Sequence, residues 1–179
     1  MGQDLSGSAV FHLAFPVLDI AEAKAFYGEK LGCDVGRESK GALILNLYGN
    51  QLVAHLAKEI SPQKGVYPRH FGLVFETLAD WEALVKRIEA QNIPFYDRPR
   101  RRFPDDWLEH YTAFIADPFQ NLMEFKFYCN SEAVFGSRGD SRIGDRTSAN
   151  QHQSPVMDKP STQMRGQTPP GVTSASSST

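Results

Sequence analysis

The sequence predicts an α+β domain in which two βαβββ modules curve a mixed sheet around a metal cleft, followed by a disordered C-terminal tail. Three observations predict it. A strand–helix–strands order occurs twice along the chain. A histidine stands near the start of the first strand in each half. The composition breaks after Phe135, beyond which there is no Phe, Tyr or Trp. These observations divide the chain into a flexible N-terminus over 1–8, a domain over 9–130 with modules at about 9–60 and 66–130, and a tail over 131–179.

In the first half, Phe11-His12-Leu13-Ala14-Phe15-Pro16-Val17 is a short apolar run of strand character. Asp19 is a good N-cap for the helix that follows, and Gly32 suits its C-terminal cap. Between them Ala23, Phe26, Tyr27 and Leu31 fall at helical spacing on one face. Strands are expected at Asp34–Glu38, Ala42–Tyr48 and Gln51–Ala57, with Gly49-Asn50 as a turn. The second half repeats the order. His70-Phe71-Gly72-Leu73-Val74-Phe75 reads as a strand, and Trp81, Leu84, Val85 and Ile88 form a helical stripe. Strands are then expected at Pro94–Asp97, Thr112–Ala116 and Leu122–Tyr128, with Asp117-Pro118 as a turn. One such unit cannot cover its own sheet. Two side by side place helices outside and a polar site on an inner face.

Composition narrows the function. The 179 residues carry a net charge of −2, so there is no global basic excess of the kind that meets phosphates. Two cysteines, Cys33 and Cys129, are too few for a disulfide framework and suit a reducing, cytoplasmic compartment. No apolar run reaches the roughly 18 residues a membrane span needs. Met1-Gly2-Gln3-Asp4-Leu5-Ser6 fits the loose myristoylation pattern, but the pattern is short and the preferred reading is a plain mobile terminus. The expected partner is a small molecule, not nucleic acid or membrane, and a homodimer is compatible with this reading. The Ser, Thr, Gly, Gln and Pro of the tail cannot bury enough apolar surface to offset their ordering entropy. Arg138-Gly139-Asp140 and His152 lie in it and are assigned no role.

His12 and His70 hold equivalent positions in the two halves. Glu124 interrupts the otherwise apolar strand Leu122-Met123-Glu124-Phe125, where a carboxylate is costly to bury without a partner. A lone strand histidine reads first as a rim residue, but matching positions in two modules argue for a shared task. Two imidazoles and one carboxylate form a facial triad with open positions. That suits Fe(II) first, with Mn(II), Zn(II) or Ni(II) as other divalent candidates. Arg98-Pro99-Arg100-Arg101-Arg102 reads as a solvated basic link between strands, or as a lid whose guanidinium groups attract an anionic substrate.

Segment 9–128 resembles the vicinal oxygen chelate superfamily, which includes glyoxalase I, bleomycin-resistance proteins and extradiol dioxygenases. The phrases that carry the resemblance are Phe11 to Val17, Ala25-Phe26-Tyr27 with Leu31-Gly32, Gly49 to His55, and Asp117-Pro118 to Glu124-Phe125. The resemblance implies the paired βαβββ fold and a metal site of His12, His70 and Glu124. Aligning Asn50 on Asn121 sets Val53 opposite Glu124, and valine cannot ligate a metal. Three ligands remain, as in the extradiol dioxygenases rather than the four-ligand glyoxalase branch. The dioxygenases carry an acid/base histidine before their second ligand, and His55 is similarly placed here. His55 shares a sheet face with Val53 and with Gln51, which can orient substrate. The chain departs from the dioxygenase pattern at Phe114, where a tyrosine is usual, and at Phe119-Gln120, where a glycine follows the turn. His110 and Tyr111, from the preceding loop, can contribute an imidazole or hydroxyl to substrate binding. The implied function is an extradiol dioxygenase-like oxidoreductase acting on a small vicinal-oxygen substrate. The alternatives are a glyoxalase-like isomerase or lyase, and a bleomycin-resistance-like ligand-binding protein without turnover.

Overall fold

The computed structural model describes residues 8–61, 63–136 and 138–143. Strand β1 (His12–Val17) leads into helix α1 (Ile20–Lys24), which widens into π-helical turns over Ala25–Leu31. Asp19 caps the helix by accepting a hydrogen bond from Glu22 N at 2.8 Å. That satisfies one backbone donor of the first turn. The helix ends at Gly32, whose φ of 93° is a left-handed value that glycine adopts at little cost. The expected apolar face, Ala23, Phe26, Tyr27 and Leu31, is buried. Strands β2 (Asp34–Glu38), β3 (Ala42–Leu47) and β4 (Asn50–Leu56) complete the first module.

The second module consists of β5 (Phe71–Phe75), α2 (Leu78–Ala90), β6 (Phe95–Arg102), β7 (His110–Ala116) and β8 (Leu122–Tyr128). The two sheets have the same topology, β1-β4-β3-β2 and β5-β8-β7-β6. In each, the first strand pairs in parallel with the last and the remaining pairs are antiparallel. Two elements differ from expectation. Arg98–Arg102 is not a link but the second half of β6. This strand lies at a sheet edge and its pairing with β7 is irregular, the setting in which Pro99 is tolerated. His110 and Tyr111 open β7 rather than ending a loop.

Strand alternation sorts the side chains. In the first sheet Phe15, Val17, Leu43, Leu45, Leu52 and Ala54 enter the core. In the second, Phe75, Ala113, Ile115, Met123 and Phe125 do so. Helix α2 starts at Thr77, whose Oγ1 accepts from Asp80 N at 3.1 Å, and buries Trp81, Leu84 and Ile88. The Trp81 indole N–H donates to the Phe125 carbonyl at 2.9 Å, so burying this ring leaves no orphaned donor.

The modules are tied together by packing and by polar contacts, of which the one between Tyr27 and Asp117 is buried. Phe15 meets Phe71 with ring centroids 5.4 Å apart, and Tyr48 meets Phe75 at 5.0 Å. Arg87 of α2 donates to the carbonyls of Lys30 and Glu29 at 2.8 and 2.9 Å. The Tyr27 hydroxyl donates to Asp117 Oδ2 at 2.8 Å, and Asn121 Nδ2 donates to Pro16 O at 2.9 Å. Burial raises the pKa of both Tyr27 and Asp117. Tyr27 therefore stays a proton donor, and the Asp117 carboxylate accepts four hydrogen bonds, from Tyr27, Phe119 N, Asn121 N and the Asn121 amide.

The expected tail begins with residues that the structure describes. Ser131–Val134 forms a 3-10 turn that buries Ala133. Arg142 pairs with Asp106 at 3.1 Å and lies over the Phe103 ring. The N-terminal myristoylation pattern at 1–6, His152 and the remainder of the tail from 144 fall outside the described residues. Among the described residues, no helix is long and apolar enough to cross a membrane.

Candidate metal centre

The site is built on the sheet face opposite the helices. In the parallel β5–β8 ladder Gly72 lies opposite Glu124, and His70 stands just before β5 on the same side. His70 Nδ1 bonds to Val66 O at 2.7 Å; since a carbonyl only accepts, Nδ1 carries the proton. The other ring nitrogen is turned to Glu124, with Nε2 at 3.1 Å from Oε2. The Glu124 hydrogen bond is the main reason that the His70 pKa is raised, against an opposing effect of burial. Burial pushes Glu124 up, but the His70 hydrogen bond, Lys126 and Thr112 outweigh it and leave the carboxyl below its ordinary range. Thr112 Oγ1 donates to Glu124 Oε1 at 2.8 Å, and Lys126 Nζ stands 3.3 Å from the same oxygen. When His70 is unprotonated, Nε2 and Oε2 present two lone pairs to one point, a fit for two ligands of a divalent cation.

His12 is placed elsewhere. It is exposed on β1, and its Nδ1 lies 2.7 Å from Oε1 of Gln51, its register partner on β4. Among the described residues, no three His, Cys, Asp or Glu side chains stand together as a metal-holding group. Val53 is buried and His55 exposed, both on β4, and alternation puts them on the face that carries His12 and Gln51. Tyr111 is turned the other way, towards the helix, with its ring 5.4 Å from Trp81. His110 is buried on the face of Thr112 and Phe114, and Nδ1 meets Leu108 O at 2.7 Å.

Sequence reasoning passed over Lys126, Thr112 and Gly72. The first was legible, since two residues beyond Glu124 on a strand means the same face. The basic run is distributed rather than acting as a unit. Arg101 binds Glu109 at 2.7 Å through both Nε and a terminal nitrogen. Arg100 pairs with Asp97 at 2.8 Å. Arg102 is half-buried within electrostatic reach of Glu124 and Tyr67, and burial lowers its pKa.

Two βαβββ modules with a paired His and Glu beside the last strand define a protein of the vicinal oxygen chelate class. A family model described as the Glyoxalase/Bleomycin resistance protein/Dioxygenase superfamily matches residues 9–125. The chain belongs to this superfamily. It is similar to a solved glyoxalase/bleomycin resistance protein/dioxygenase from Alicyclobacillus acidocaldarius, with 40% identity and a TM-score of 0.68 over 71% of this chain and 96% of that one. A lactoylglutathione lyase from Agrobacterium tumefaciens, 20% identical with a TM-score of 0.54 over 73% of this chain and 98% of that one, shares the fold. No curated protein matches the chain.

Proposed function

We propose that the chain is a metal-dependent enzyme whose divalent ion, Fe(II) foremost, is held by His70, Glu124 and His12. In this reading it is an extradiol dioxygenase-like oxidoreductase acting on a small substrate with two neighbouring oxygens. The observation that carries the reading is the His70 Nε2–Glu124 Oε2 pair at 3.1 Å, which Val66, Thr112 and Lys126 hold in place. A bound ion supplies Lewis acidity and positions for the oxygens of the substrate. His12 lies on the other sheet. For it to join, the two faces must close on each other or a second copy must offer its own first module, so a homodimer belongs to this reading. His55 is the proposed acid/base and Gln51 orients His12 or substrate. A cytoplasmic location accords with the two free thiols.

The separation of His12 from the His70–Glu124 pair favours a second reading, a ligand-binding protein without turnover. Metal analysis after anaerobic purification, followed by dioxygen uptake with a panel of catechols, separates the two. The enzyme reading expects about one ion per chain in the wild type and a sharp loss of metal in both His12→Ala and Glu124→Ala, with the fold intact. A metal-free wild type removes that reading. A metal-loaded protein that consumes no dioxygen with any catechol leaves the isomerase or lyase branch.

A further inference from the structure

The C-terminal segment folds back on the second module at a point that the metal reading leaves without a task. Residues 103–109 connect β6 to β7, and two of them that are not glycine take left-handed backbone angles, Phe103 at φ 48° and Asp105 at φ 63°. Such conformations cost energy and persist where the surroundings hold them. Part of the hold is internal. Arg101 binds Glu109, and Asp105 N donates to Glu109 Oε2 at 2.7 Å. A further part comes from residues 138–143. Arg142 donates to both Asp106 oxygens, Nη1 to Oδ2 at 3.1 Å and Nη2 to Oδ1 at 3.2 Å. The same guanidinium binds Asp140, with Nη2 2.6 Å from Oδ2. Its carbon also lies 5.2 Å from the centroid of the Phe103 ring. One planar group thus ties a carboxylate of its own segment, a carboxylate of the connection and an aromatic face of the connection.

The other side of the connection meets the inner sheet face. The Phe103 ring is 5.8 Å from that of His110, which is 7% exposed. His110 Nδ1 donates to Leu108 O, a carbonyl of the connection, at 2.7 Å. The Leu108 N–H donates to Asp106 Oδ1 at 2.9 Å, an oxygen that Arg142 also binds. Hydrogen bonds therefore run without a break from Arg142 through Asp106 and Leu108 to a buried ring of the inner face. We propose that residues 138–143 are an electrostatic strap, which holds the 103–109 connection closed as a lid over the His110 end of that face and releases it as ionic strength rises. The Arg142 side chain is exposed, so its ion pairs are open to screening by salt, and exposed pairs are individually weak. Two carboxylates and a ring on one guanidinium close the lid at low salt, and screening removes most of that hold. The left-handed backbone at Phe103 and Asp105 favours release once the hold is gone. None of this requires a bound ion, so the strap and the metal reading stand or fall separately.

Hydrogen exchange of the full-length protein, followed residue by residue by NMR, reads the lid. At low salt the wild-type amides of Asp106, Leu108 and Glu109, which are bonded within the connection, should be protected, and the His110 Nδ1–H should give a resolved signal. Arg142→Ala should speed exchange of the three amides by about tenfold and broaden the His110 signal. The amides of Ala113 and Ile115, at the centre of β7, should not change. Sodium chloride at about 0.5 M should loosen the wild-type lid in the same way and add little in Arg142→Ala, which has no strap left to screen. Asp106→Asn, which removes the charge from the other partner, should likewise lose the salt response. Exchange in Arg142→Ala equal to that of the wild type overturns the proposal. So does a wild-type lid that salt does not loosen, or an Arg142→Ala lid that salt loosens as much. Acceleration that includes Ala113 and Ile115 to the same degree also overturns it, since the segment would then support the whole sheet and not a lid.

Discussion

Gly72→Ala tests whether the close approach of β5 to β8 is what aligns His70 with Glu124. Gly72 has no left-handed φ, so the requirement is space rather than backbone freedom. A Cβ at Gly72 would stand 2.7 Å from the Glu124 carbonyl carbon and 2.9 Å from its nitrogen, with the carbonyl oxygen nearer still. Ordinary contact begins at 3.4 Å, so the carbon alone requires β5 to retreat from β8 by about 0.7 Å, and the nearer oxygen requires more. All three obstructing atoms are backbone, and no rotamer change relieves them. Lengthening ladder bonds of ordinary length by that amount takes them to about 3.6 Å, beyond useful hydrogen-bond range. Losing one or two such bonds at about 1 kcal/mol each, with overpacking strain of about 1–3 kcal/mol, gives a destabilisation of about 2–5 kcal/mol. The sign is opposite to the gain of about 0.4–1 kcal/mol that Gly→Ala brings where the native geometry accepts alanine. Urea denaturation followed by circular dichroism measures it, and metal titration of the same variant should show weakened binding. A variant within about 0.5 kcal/mol of wild type that binds metal unchanged would refute the reasoning.

Tyr27→Phe removes a buried donor from Asp117 and should cost about 1.5–3 kcal/mol in urea unfolding. An effect near zero would mean that the Asn121 contacts alone satisfy the carboxylate. Glu109 is held at a pKa of about 2, chiefly by the Arg101 hydrogen bonds, against an ordinary 4.5. Because the folded value is depressed, its stabilising contribution is complete above pH 4.5 and is lost as pH falls towards 2. The stability gap between wild type and Glu109→Gln should therefore be constant from pH 7 to 5 and narrow below that, and a gap independent of pH contradicts the assignment. His55→Ala should keep its metal and lose roughly a hundredfold or more in turnover if His55 handles protons. Loss of metal equal to that of Glu124→Ala would make His55 a ligand instead.

Much of the fold was legible because each module repeats one hydrophobic pattern. The stripe from Ala23 to Leu31 and the alternation around Met123 and Phe125 depend only on local period, and both elements formed as read. Arg98–Arg102 was misread because five residues with four arginines and a proline carry no strand pattern. The partners that make a strand of it, Asp97, Glu109 and the edge position, come from tertiary structure. The π-helical widening was hidden for a related reason. Gly28 lies so close to Val35 that a Cβ would meet its methyl at 2.8 Å, a crowding that no spacing rule contains. At the site, the pairing of His70 with Glu124 follows from strand register, which a sequence suggests only through the repeat. The placement of His12 beside Gln51 follows from the β1–β4 register within the first sheet, whereas its separation from the His70–Glu124 pair depends on how the two sheets sit, which nothing local encodes.

The chain contains two tryptophans, and the fold gives them opposite exposures. Trp81 is 5% exposed and donates to the carbonyl of Phe125, the residue after Glu124 on β8. Trp107 is 51% exposed in the β6–β7 connection. A collisional quencher such as iodide should silence the second and spare the first. The remaining emission then comes from an indole bonded to the backbone of the strand that carries the proposed carboxylate ligand. The protein thus has a built-in optical probe of β8, by which a small displacement at Glu124 can be followed in dilute solution without any label.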